Sequence, residues 1–178
     1  MSSLPAASDD FVAQLAGLAP DGAVAALRAF RADATRYTQG SHDALFSNDV
    51  IDLTLQERLI AAWYAALLSR AGQTAQAYRE RLLALAAADS AATHALLDAI
   101  AQHHQLPVET VVNKRLAAIL VHTEALVVNP AATGQAALSE LQAAGLTTRA
   151  IVALSQLVAF VTYQVRVVAA LRALEANA

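Results

Sequence analysis

Leu55, Leu59, Trp63 and Leu67 recur at four-residue intervals, with Ile60, Tyr64 and Leu68 beside them. That period is helical, and an apolar surface so wide predicts a helix buried on more than one side. Thr54 precedes the run and Glu57 follows three residues later. This is the spacing of a capping box, in which the hydroxyl takes a backbone N–H and the carboxylate reaches back. Gly72 breaks the pattern, and Ala75 to Leu85 begins a second helix. A helix apolar on several sides needs other helices wrapped around it, and the remaining sequence supplies them.

Residues 1–8 are expected to form a loose tail. Asp9 and Asp10 precede a short apolar segment, Phe11 to Leu18. Asp21 opens a helix with Val24, Leu27 and Phe30 on its apolar face and Arg28, Arg31, Asp33 and Arg36 on its wet side, ending before Gly40. Ser41 to Asn48 reads as a short helical turn or a loop. Beyond the central pair, Asp89 and Ser90 can cap a helix from Ala91 to about His104. Leu106-Pro107 stops it, because the residue before proline avoids helical angles. Val108 to Val112 is β-branched but short and isolated. Asn113 caps Lys114 to Val127, and Asn129-Pro130 ends that helix. Thr133 opens a short helix closed by Gly145, a residue suited to a left-handed C-cap. Thr147 then caps a long last helix from Thr148 to about Leu174, whose Ile151, Val158, Val161, Val165 and Val168 keep helical spacing. No paired alternating runs suggest a sheet. The expectation is a single all-α domain over residues 1–178, with seven to eight helices. Leu53-Thr54 and Leu146-Thr147 each start a long apolar helix, at an offset of 93 residues.

Of the 178 residues, 57% are hydrophobic and 15% charged, and the mean hydropathy is +0.42. Such a chain hides surface between subunits or enters a membrane. The run from Ala150 to Leu171 carries a single charge, Arg166. However, Ser155, Gln156, Thr162, Tyr163 and Gln164 interrupt it, and no flanking aromatic-and-basic pattern accompanies it. A buried helix of a homo-oligomer is the preferred reading over a membrane span. A net charge of −3 leaves no basic stripe for nucleic acid. The start, MSSLPAASDD, has no basic segment followed by an apolar one, so a cytoplasmic protein is expected. Zero cysteines exclude disulfides, thiol catalysis and thiolate metal ligation.

The helix–break–helix from Leu53 to Leu82 resembles the core of the alkylhydroperoxidase D-like, or carboxymuconolactone decarboxylase-like, family. The resemblance runs to Leu174. His122-Thr123-Glu124-Ala125-Leu126, Asn129-Pro130, Leu138 through Gly145-Leu146-Thr147, and Ile151 to Phe160 are similar to the second half of peroxidase-related members. It implies a fold of duplicated helical units with Cys-x-x-Cys-x-x-x-His at the central break. In the preferred register the family's glutamate falls on Leu59, its cysteines on Ala71 and Thr74, and its histidine on Tyr78. Peroxide reduction needs a thiolate nucleophile and a second thiol to resolve the sulfenic acid, and this chain has neither. The resemblance therefore implies a non-catalytic scaffold, or a partner of a cysteine-containing relative. The rival is a thiol-free decarboxylase or isomerase acting on a small acidic substrate.

Such a rival needs an acid, a base and a group to hold the substrate. Glu57, Tyr78, Arg79, His122 and Glu124 are the candidates. Glu57 already has a place in a capping box, Tyr78 suits an amphipathic core position, and His122 lies mid-helix among apolar neighbours. Arg166 must pair, with Glu57, Asp52 or a carboxylate of another subunit, or else hold a ligand carboxylate. No two histidines share the i, i+3 or i, i+4 spacing of a helical metal site, and no phosphate loop is present, so neither metal nor cofactor is expected.

Overall fold

Every residue from Arg58 to Ala66 is buried, so the helix that carries them has no solvent face along its middle turns. The computed structural model describes residues 10–102, 110 and 112–177. Among the described residues there are nine α-helices and no strand. They are α1 (Phe11–Ala16), α2 (Ala23–Ala29), α3 (Ala32–Phe46), α4 (Leu55–Leu68), α5 (Gly72–Leu85), α6 (Ser90–Gln102), α7 (Lys114–Val128), α8 (Gln135–Ala143) and α9 (Thr148–Glu175). Short 3₁₀ turns at Ala87–Asp89 and Pro130–Ala132 join neighbouring helices. The expected tail, His103, His104, the Leu106-Pro107 stop and most of Val108 to Val112 lie outside the described residues.

The hub is α4, which packs against α5, α7 and α9. Its fully buried alanines, Ala61, Ala62, Ala65 and Ala66, let those neighbours approach closely, while Leu59, Ile60, Trp63 and Tyr64 fill the space between them. Burial of each large side chain contributes about 1.5–3 kcal/mol. The capping box forms as the spacing predicts: Glu57 N donates to Thr54 Oγ1 at 3.2 Å, and Thr54 N to Glu57 Oε2 at 2.8 Å. Arg58, only 2% exposed, donates to Leu45 O at 2.6 Å and Ser47 O at 2.9 Å. A cation thus satisfies carbonyls that the end of α3 leaves open.

Nine helices replace the expected seven to eight. The difference lies before Leu53, where the expectation was a short segment over Phe11 to Leu18, one helix from Asp21 ending before Gly40, and a short helical turn or loop after it. The chain instead breaks at Phe30 and Arg31, and α3 runs through Gly40 and most of Ser41 to Asn48. A mid-helix glycine costs about 1 kcal/mol, but His42 and Phe46, four apart on α3, are both buried in the aromatic cluster beside α5. The expected face of the preceding helix also fails: Val24 is buried, whereas Leu27 is 64% and Phe30 88% exposed. Arg28 is not on a wet side, since it grips the Asp10 carboxylate at 2.6 and 2.9 Å.

The two Leu-Thr starts share a backbone design. Asp52 (φ 68°) and Gly145 (φ 86°) are both left-handed. Each precedes a buried leucine, Leu53 or Leu146, and then a threonine N-cap. The two starts are also tied together: Thr147 Oγ1 donates to Asp52 Oδ2 at 3.0 Å, and Arg115 donates to Asp52 O at 2.6 Å and Gly145 O at 2.7 Å.

Length and composition alone would let α9 cross a membrane, but 39% of its most apolar stretch is buried in the protein. Ile151, Leu154, Leu157, Val158 and Val161 join the main core, and Val168 joins a smaller one with Val12, Leu15 and Ala16. Within the single chain the helix also has an exposed face. Val152, Gln156, Ala159, Tyr163, Arg166 and Ala170 form an exposed stripe at alternating four- and three-residue spacing.

Candidate functional site

The four positions that the resemblance assigns to chemistry divide between the main core and the lining of a groove. Leu59 and Tyr78 belong to the main core, at 2% and 0% exposure. Tyr78 Oη donates to Gln164 Oε1 on α9 at 2.7 Å. Its ring stacks on Phe46 at 5.4 Å and meets the edge of Phe11 at 5.9 Å. Burial pushes the phenol strongly up, so it keeps its proton at any physiological pH. Side chains pack against one another on this side of the bend.

Beside Tyr78 lies a charged chain that sequence reading missed. Arg81 lies over the Phe46 ring at 4.7 Å, and its Nη1 is 2.8 Å from His42 Nε2. A guanidinium only donates, so Nε2 must accept; Nδ1 then carries the proton and donates to Asp43 Oδ1 at 3.0 Å. His42 is therefore neutral. Burial lowers its pKa, the Asp43 hydrogen bond opposes this, and the Arg81 charge lowers it further. The periodic signal of α3 was hidden by the polar residues around Gly40, which is why the group was not foreseen.

The remaining candidates have structural partners and do not converge. Glu57 Oε1 accepts from Arg115 Nε at 2.6 Å. Burial pushes this carboxyl up, but Arg115 and the Thr54 donors outweigh burial and hold it below its ordinary value. His122, 3% exposed, has Nε2 at 3.1 Å from Ser155 Oγ, and that hydroxyl donates its one proton to Ile151 O at 2.9 Å. The imidazole is thus the donor, the reverse of a base activating a serine. Its Nδ1 is buried without a partner among the described residues, and burial lowers its pKa. Glu124 accepts from Tyr64 Oη at 3.0 Å. Arg79 pairs with Asp98 at 3.0 Å and donates to His94 Nδ1 at 2.9 Å, joining α5 to α6. Arg166 is exposed and meets neither Glu57, which Arg115 holds, nor Asp52, whose carboxylate binds Thr147.

The other half of the bend is open. Ala71 and Thr74 line a surface groove of about 200 Å³ between the α4–α5 turn and α9, together with Arg70, Arg172, Val165 and Val168. Arg70 sits at the C′ position of a Schellman motif, with φ 56°; Arg70 N donates to Leu67 O at 2.9 Å and Ala71 N to Ala66 O at 3.0 Å. Glycine usually takes that position. No histidine or carboxylate lines the groove. Among the described residues no three histidine or carboxylate side chains gather in metal-binding geometry.

No protein-family model matches the chain, and no curated protein matches it.

Proposed function

We propose that this chain is a peroxidase-related protein of the alkylhydroperoxidase D-like type without a redox site, acting as a non-catalytic scaffold through its own copies or a cysteine-containing relative. One observation carries the reading: Tyr78 and Leu59 are core residues, and the Tyr78 hydroxyl is committed to Gln164. The chain has no cysteine at any position. The exposed stripe of α9, with Val152 at 51% and Tyr163 at 45% exposure, and Val121 and Val128 on α7 supply apolar surface for self-association.

The test is light scattering coupled to size separation, on the purified chain and after co-expression with a cysteine-containing family member. A homo-oligomer or a mixed complex supports the reading. A monomer that stays separate from the relative discards it, and so does hydroperoxide consumption by the purified chain.

The rival reading, an acid–base enzyme on a small acidic substrate, draws support from the two arginines of the groove. It lacks a proton-transfer group there, since neither a histidine nor a carboxylate lines the groove.

A further inference from the structure

The groove at the α4–α5 turn has features that the scaffold role does not use. We propose that it binds a small oxyanion, a carboxylate or phosphate group carried on a molecule with a short apolar portion. The proposal goes beyond the scaffold reading and does not depend on it.

Three independent features meet there. The first is the N-terminus of the 14-residue α5. Its N-cap is Ala71, which offers no side-chain acceptor, whereas α4, α7 and α9 are capped by Thr54, Asn113 and Thr147. The first-turn N–H groups of Gly72, Gln73 and Thr74 are therefore left at the positive end of the helix dipole. The second is Thr74 itself. It is 1% exposed, it lines the groove, and its hydroxyl makes no hydrogen bond among the described residues. The hydroxyl is thus free to bond an oxygen in the groove. The third is charge. Arg70 and Arg172 come from different helices, line the same groove, and form no ion pair among the described residues.

A cation near a helix C-terminus is favourable on its own. That explains Arg70 beside the end of α4 and Arg172 near the end of α9 separately. It does not explain why both meet at an uncapped N-terminus lined by no carboxylate. Val165 and Val168 give the groove an apolar wall. Its volume of about 200 Å³ is below the roughly 300 Å³ at which pockets accept drug-sized ligands, so the occupant is small.

Amide shifts of the ¹⁵N-labelled full chain test this. The chain is titrated with sodium butyrate, with sodium phosphate, and with sodium chloride at matched ionic strength. Saturable shifts at Gly72, Gln73 and Thr74 with butyrate or phosphate, absent with chloride, support the site; the arm that saturates earlier separates carboxylate from phosphate. Arg70→Gly and Arg172→Gln should each weaken binding about tenfold, the loss of one charge-assisted hydrogen bond. Arg70→Gly keeps the left-handed backbone, so its loss of binding cannot be ascribed to misfolding. Thr74→Val should weaken binding without moving the other shifts. No saturation in either arm, or unchanged titrations in both arginine variants, would overturn the proposal.

Discussion

The Arg115 guanidinium meets the Glu57 carboxylate at 2.6 Å, and the same side chain reaches the carbonyls of Asp52 and Gly145. One arginine on α7 therefore clasps the start of α4 to the end of the turn before α9. Arg115→Ala should cost about 2 kcal/mol, because it leaves a largely buried carboxylate without its cation. Arg115→Lys should recover only part, since an ammonium cannot span three acceptors in a fork. Urea unfolding measures both; an alanine variant as stable as the parent would show the clasp to be dispensable.

Tyr78→Phe should destabilise by about 1–3 kcal/mol. It strips Gln164 Oε1 of its donor where Gln164 Nε2 already lacks an acceptor among the described residues. Replacing both members, Tyr78→Phe with Gln164→Leu, should return much of that loss, because no buried amide then remains. Denaturant midpoints compared in a double-mutant cycle check it. Equal loss in single and double variants would mean that the orphaned Gln164 amide is not the source of the loss.

Acid should weaken the fold in two stages. His42 and His122 have lowered pKa values in the folded chain. The unfolded state therefore binds more protons around and below pH 6.5. Their contribution is complete above that value and is lost as pH falls from it through the folded pKa. Glu57, also lowered, adds a contribution present above its ordinary value near 4.5 and lost below it. Thermal melting from pH 8 down to pH 2.5 reads both stages, and NMR of the imidazoles should show both rings still neutral at pH 6.5. A ring half-protonated at pH 6.5 contradicts its assigned burial.

Arg70→Gly should stabilise the chain by about 0.5–1 kcal/mol, since only glycine adopts a φ of 56° without a Cβ penalty. Thermal unfolding compared with Arg70→Ala, which keeps the penalty, isolates the backbone effect. If the two variants melt alike, the left-handed strain at this position is negligible.

The central helix was legible because its signals are local. The Thr54 and Glu57 spacing, the four-residue apolar recurrence and the Gly145-Leu146-Thr147 start depend on residues within two turns of one another, and each forms as expected. The first 50 residues were less legible. Gly40 and its polar neighbours read as a break, yet α3 continues because His42 and Phe46 are buried beside Tyr78. A contact to a helix some thirty residues away outweighs a propensity of about 1 kcal/mol.

By itself the sequence determined that the chain is helical, that α4 is its hub and that thiol chemistry is absent, since these follow from period, caps and residue type. Tertiary structure alone decided which polar groups meet. It gave Glu57 to Arg115, Gln164 to Tyr78 and His42 to Arg81, left Arg166 exposed, and brought Arg70 and Arg172 to one groove. Pairing of charges across helices depends on how those helices pack, and nothing in the local spacing of an arginine names its partner.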